Sequence, residues 1–152
     1  MRYFAYGSNM DPEQMAERCP GAVPFGPARL DGWRLTFDRF STRRRGYVAD
    51  VVPAPSAATW GVLWEVTAAH LEALDRSEGV ANGAYRRAEL KVRANDGSLV
   101  DAVAYTVCEP GPPGPPSPAY LGHLLRGAHA AGMPAWYIRF LEGFATSPGE
   151  AR

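Results

Sequence analysis

The sequence predicts an α+β fold: a small mixed, mainly antiparallel, barrel-like sheet with inserted and C-terminal helices. Three observations carry this. Segments of strand character dominate the chain as far as Val107. The helical segments are inserted or appended and do not alternate with the strands, as a doubly wound parallel sheet requires. Asn95-Asp96-Gly97 between two strand-like runs is a hairpin turn.

Arg2–Tyr6 is aromatic-rich without helical period and reads as a buried first strand, broken by Gly7-Ser8-Asn9. A helix start follows, with Asp11 as N-cap, Pro12 at the first helical position and Gln14 placed to close a capping box. Met15 and Cys19 share one face, and Pro20-Gly21 ends the helix. In Arg29–Phe40, the alternation of Trp33, Leu35 and Phe37 marks a half-buried strand. Arg39 to Gly46 is a basic loop. Tyr47–Val52 is a short strand ended by Pro53 and Pro55, and Trp60–Val66 is another. Thr67 caps a helix running to about Ser77. Tyr85–Val92 and Leu99–Val107 form the hairpin. Glu109–Pro118, with six prolines and two glycines, is a stiff loop. Tyr120–Ala131 and Pro134–Phe144 are two closing helices parted by Gly132. Residues 1–145 are thus expected to form a single domain, with a frayed tail over 146–152.

The totals narrow the function. Apolar residues make up 46% and charged residues 21% of 152, the balance of a soluble globular chain. Sixteen basic residues offset 16 acidic ones, which argues against a general nucleic-acid or membrane-surface binder. Cys19 and Cys108 are too few for a disulfide scaffold, and the absence of Cys-x-x-Cys and His-x-x-x-His leaves no zinc pattern. The apolar start is too short for a signal-peptide core, and no stretch approaches the ~20 apolar residues of a membrane span. A cytoplasmic protein is expected.

Several residues are able to carry chemistry. Tyr6-Gly7-Ser8-Asn9 lies where a strand meets a helix start, so its backbone N–H groups can form a concave anion site; an ordinary turn uses the same residue types. Glu78 precedes Gly79 at a helix end, where a carboxylate can exchange protons with a ligand, although most Glu residues are simply solvated. Tyr85, Tyr105 and Tyr120 are as consistent with core packing as with a pocket wall. His70, His123 and His129 are unclustered and read as surface or packing residues. The thiols read as inert, and Trp33, Trp60, Trp64 and Trp136 as core. Arg43-Arg44-Arg45 with Arg39 are able to hold an acidic ligand, but in a chain otherwise neutral they read as a solvated basic loop.

The order of these pieces resembles the γ-glutamylcyclotransferase family (AIG2-like fold), the animal members in particular. The matching runs are Tyr3-Phe4-Ala5-Tyr6-Gly7-Ser8-Asn9-Met10, Ala28-Arg29-Leu30, Trp60-Gly61-Val62-Leu63-Trp64 and Leu74-Asp75-Arg76-Ser77-Glu78-Gly79-Val80 with Tyr85. Pro116-Ser117-Pro118-Ala119-Tyr120, Gly127-Ala128 and Gly132-Met133-Pro134 complete the set. The resemblance implies a small mixed β-barrel and an enzyme that cyclises γ-glutamyl amino acids or amines to 5-oxoproline. It places the catalytic acid/base on Glu78. It places glutamyl binding on Tyr6, Gly7, Ser8 and Asn9, and pocket tyrosines on Tyr85, Tyr105 and Tyr120. It implies no metal, no organic cofactor and a small-molecule γ-glutamyl partner, and it leaves a homodimer open through a strand edge or Trp136.

Three departures from the family pattern bear on the leaving group. The basic loop Phe40–Gly46 is shorter, Asp50 stands where Thr or Asn is usual, and the Pro-rich loop is expanded. Deprotection of a γ-glutamylated biosynthetic intermediate is the alternative within the same chemistry. A non-catalytic glutamyl-binding module and amide hydrolysis through Cys19 or Cys108 are the alternatives outside it.

Overall fold

Tyr3, Phe4 and Ala5 are buried on a short first strand, β1 (Arg2–Ala5), and the sheet closes around it. The computed structural model describes residues 1–145, so the tail expected over 146–152 lies outside the described residues. β1 pairs antiparallel with β3 (Gly46–Glu65), from Arg2 opposite Glu65 to Ala5 opposite Val62. β3 pairs along its length with β2 (Val23–Ser41), and β2 meets β4 (Tyr85–Arg93) at Arg29 opposite Arg93. β4 and β5 (Leu99–Val107) form the expected hairpin. The circle closes where β5 runs parallel to β1, at Val103 opposite Tyr3. The result is a closed barrel of order β1-β3-β2-β4-β5, antiparallel except at that seam.

Helix α1 (Pro12–Arg18) follows a 3₁₀ turn, Ser8–Met10, at the end of β1. α2 (Ala68–Ser77) leaves β3, and α3 (Pro118–Ala131) and α4 (Ala135–Glu142) close the chain. Leu71 and Leu74 of α2, Leu121, Leu124 and Ala128 of α3, and Tyr137 and Leu141 of α4 join the barrel interior in one core. No helix among the described residues is long and apolar enough to cross a membrane.

The strands differ from the sequence expectation in length. Pro53 and Pro55 do not end a strand; both lie inside β3. The ladder steps from Trp33 opposite Pro53 to Asp31 opposite Ala58, so residues 54–57 bulge and no ladder N–H is needed from Pro55. Gly32, at φ +85°, takes the matching kink in β2. The basic loop shrinks in the same way: Arg39 and Ser41 are strand residues, and only 42–45 turn. Trp136 is 53% exposed on α4 and does not fill the core. Gln14 makes no capping box; Asp11 alone caps α1, accepting from the Glu13 N–H at 3.0 Å.

The Pro-rich segment is pinned along the outside of the β2–β3 hairpin. Gly111 and Gly114 N–H donate to the carbonyls of Asp38 and Phe37, and Tyr47 N–H donates to that of Pro115. A Cβ on Gly114 would lie 2.1 Å from the Tyr47 ring, so only glycine permits this approach. Ser117 then caps α3, accepting from the Tyr120 N–H at 3.2 Å.

Candidate active site

Every residue the sequence singled out for catalysis or glutamyl binding lines one cavity of about 430 Å³ at one end of the barrel. Tyr6, Gly7, Ser8 and Asn9 come from the end of β1, Glu78 from the end of α2, Tyr85 and Tyr105 from β4 and β5, and Tyr120 from α3. Tyr3, Arg18, Arg39, Arg43 and Arg44 complete the polar wall. Sequence reasoning did not assign these five to the site. The Pro-rich loop does not line the cavity, whereas the basic turn does.

A buried network fixes the loop. Asn9 Nδ2 donates to the Tyr3 hydroxyl at 2.9 Å, and Asn9 Oδ1 accepts from Gln14 Nε2 at 2.8 Å and from Arg18 at 3.0 Å. Ser8 Oγ accepts from Gln14 Nε2 at 2.7 Å and from Arg44 at 3.3 Å. Arg44 also donates to Gln14 Oε1 at 2.9 Å and lies over the Tyr120 ring, 5.2 Å from its centroid. Gln14 is therefore committed to this loop, which is why it does not reach back to the N-cap. A hydroxyl has one donor, so Ser8, accepting twice, keeps its proton for a ligand. Gly7 is closely packed: a Cβ would lie 3.1 Å from the Tyr120 hydroxyl and 3.3 Å from Ala49 Cβ, so both would have to give by a few tenths of an ångström.

The tyrosines divide by where their protons go. Tyr6 donates to the Tyr105 carbonyl, Tyr85 to the Ala49 carbonyl at 2.6 Å, and Tyr105 to Asp75 Oδ1 at 2.6 Å. Tyr120 instead accepts from the Ala49 N–H at 3.0 Å, and Tyr3 accepts from Asn9. Tyr3 and Tyr120 therefore retain protons to donate. Burial pushes the Tyr120 phenol up to about 12, so it is neutral and a donor at neutral pH.

Glu78 is the C-cap of α2, its N–H donating to the Leu74 carbonyl at 2.8 Å. The chain turns away at once through Gly79, at φ +64°, a left-handed conformation suited to glycine. That turn leaves the side chain in the cavity, where it is the only carboxylate among the lining residues. Burial raises its pKa above the usual carboxylate range, and Arg18, Arg44, Arg43 and Arg39 pull it back down. α2 is held at both ends. Thr67 and His70 form a reciprocal cap at its start, with His70 Nε2 2.7 Å from the Pro20 carbonyl. At its end Asp75 receives Arg87, at 2.8 and 2.7 Å, and Tyr105. The hydroxyl of Tyr105 thus positions the helix that bears Glu78.

Asp50, a departure noted in the sequence, is buried and accepts from the Val107 N–H at 3.0 Å. Burial and the neighbouring Asp50 carboxyl push Asp38 up to about 7. Neither carboxyl lines the cavity, and neither do Cys19 and Cys108. Burial raises the Cys19 thiol as well, so both the position and the protonation of this cysteine argue against a nucleophile.

The whole chain can be set beside known proteins. It is 36% identical to the mouse γ-glutamylcyclotransferase over 154 aligned positions, covering 97% of this chain and 79% of the mouse protein. The chain belongs to the γ-glutamylcyclotransferase family. The human γ-glutamylcyclotransferase is likewise 36% identical, over 89% of this chain and 73% of its own length. A solved γ-glutamyl cyclotransferase structure superposes with a TM-score of 0.89 at 33% identity, covering 93% of this chain and 86% of its own. The AIG2-like family matches residues 58–141, the span that contains Glu78, Tyr85, Tyr105 and Tyr120. The family fold, a closed barrel with appended helices, agrees with the sequence expectation.

Proposed function

We propose that this chain cyclises γ-glutamyl amino acids or γ-glutamyl amines to 5-oxoproline, releasing the free amine, with Glu78 as the general acid/base. The observation that carries this reading is the placement of Glu78, a carboxylate in no ion pair among the described residues, in one cavity with a loop rich in N–H and hydroxyl donors. The substrate supplies its own nucleophile, the α-amine, which attacks the γ-carbonyl and closes a five-membered ring. The protein's main task is to fold the glutamyl chain, and orientation contributes roughly 7–11 kcal/mol in well-aligned intramolecular reactions. The Gly7–Asn9 backbone and the Ser8 hydroxyl hold the α-carboxylate, with Arg18 and Arg44 behind them. Glu78 takes a proton from the α-ammonium and returns one to the departing nitrogen. Tyr120 donates to the developing oxyanion.

Mass-spectrometric detection of 5-oxoproline from γ-Glu-Ala tests the reaction; release of free glutamate would replace cyclisation with hydrolysis. A pH profile tests the base. Glu78 acts only when ionised, and its pKa is raised, so kcat/KM is expected to fall on the acid side at a pH above the ordinary carboxylate value of ~4.3. An acid limb at or below that value would remove Glu78 from the role. The reading sets the reaction in the cytoplasm, and it offers Trp136 and Phe140, exposed and four apart on α4, as the face of a homodimer.

A further inference from the structure

The cavity wall carries more positive charge than a glutamyl head group uses. Four guanidinium groups, Arg18, Arg39, Arg43 and Arg44, face one carboxylate, Glu78. None of the four is in an ion pair among the described residues. Two have work already: Arg18 donates to Asn9, and Arg44 to Ser8 and Gln14, so both back the loop that faces the glutamyl end. The other two line the same cavity and, among the described residues, make no hydrogen bond to that loop. Arg39 leaves the end of β2 and lies over the Tyr85 ring, 5.9 Å from its centroid. Arg43 stands exposed in the turn between β2 and β3.

A guanidinium presents a planar fork of donors that matches a carboxylate. In a partly enclosed site, interactions between charges are several-fold stronger than in bulk water. A cationic leaving amine brings like charge against Arg39 and Arg43, a neutral one leaves both unmatched, and an amino acid supplies one carboxylate. A dicarboxylic amino acid supplies two, one for each guanidinium. Resting on the cyclase reading above, we propose that Arg39 and Arg43 select the leaving group by negative charge, so that γ-glutamyl amides of dicarboxylic amino acids are the preferred substrates and γ-glutamyl polyamines are excluded.

Three substrates decide it: γ-Glu-Glu, γ-Glu-Gln and γ-Glu-putrescine. The first two match in shape and differ by one charge. The expected kcat/KM for γ-Glu-Glu is at least tenfold above that for γ-Glu-Gln, carried mainly by KM, with the ratio shrinking as salt is added. γ-Glu-putrescine is expected to be the poorest of the three. In the double variant Arg39→Gln, Arg43→Gln the ratio of the first two is expected to fall towards one. Damage to the fold lowers both substrates together and cannot by itself bring the ratio down. A ratio near one in the parent, or a ratio that survives in the variant, overturns charge selection while the cyclase reading stands. Absence of 5-oxoproline from all three overturns the cyclase reading, and this proposal with it.

Discussion

Glu78→Gln is expected to abolish turnover while making the folded protein more stable at neutral pH. The amide keeps the shape of the carboxylate but cannot take the proton from the α-ammonium, and acid–base help of this kind is worth ~10²–10⁴ in rate. Substrate affinity should change little, because the proposed mechanism gives the α-carboxylate to the Gly7–Asn9 loop and not to Glu78. The stability gain follows from the raised pKa. A folded-state pKa above the unfolded value means that folding disfavours the ionised form. Ionisation therefore removes stability as the pH rises from the unfolded value through the folded one. Above that window the parent bears the whole penalty and the variant none; below it the two should converge. Thermal melts of both proteins across pH, beside a 5-oxoproline assay, measure both effects. A variant that is inactive but clearly less stable at neutral pH would mean that Glu78 holds the fold, and one that turns over normally would end its catalytic assignment.

Gly127→Ala is expected to damage activity from a position that does not line the cavity. Gly127 lies on α3 against the Ser8–Met10 turn, and a Cβ there would sit 2.4 Å from three atoms of Met10, two of them backbone. Neither neighbour yields like a flexible side chain, so α3 and the turn must part. Overpacking costs typically 1–3 kcal/mol. The two elements forced apart carry Tyr120 and the Tyr6–Asn9 loop, and a misplacement of about 1 Å can cost ~10² in rate. Gly122→Ala on the same helix is the control. Its Cβ would approach only the guanidinium of Arg126, at 3.3 Å, which can swing away, and alanine gains up to about 1 kcal/mol of helix propensity over glycine. A Gly127→Ala enzyme with normal kcat and melting temperature would show that the turn tolerates displacement.

The contrast between these two glycines illustrates what the sequence could and could not tell. Local signals were legible: the Asp11 and Thr67 caps, the Asn95-Asp96-Gly97 hairpin and the glycine after Glu78 all act within a few residues, and each stands as expected. Proline was misleading in β3: Pro53 stays in register opposite Trp33, and a bulge relieves the ladder of the N–H that Pro55 lacks. Arg44 could not be assigned, since its partners Ser8 and Gln14 lie 36 and 30 residues away. Tyr3 was hidden because β1 is buried without an alternating pattern to set its hydroxyl apart. Arg18 had a usable signal: it follows Gln14 by four residues, one turn of α1, so the two share a face toward Asn9. Glu78 itself rested on the family resemblance, since nothing in its local sequence separates it from a solvated glutamate.

The parallel seam between β1 and β5 has a consequence for how the molecule is made. The β2–β3 hairpin is closed by a turn of only four residues and can form within microseconds, as hairpins do. The seam joins segments about a hundred residues apart, and the Tyr6 hydroxyl bonds the Tyr105 carbonyl across it. Contacts of such separation carry the larger entropic barrier and come late. The cavity straddles the seam, so it exists only once the barrel has closed. Turnover in a refolding mixture should therefore lag behind the fluorescence of Trp33, Trp60 and Trp64, which report on the hairpin: the enzyme's own reaction serves as a clock for the last step of its folding.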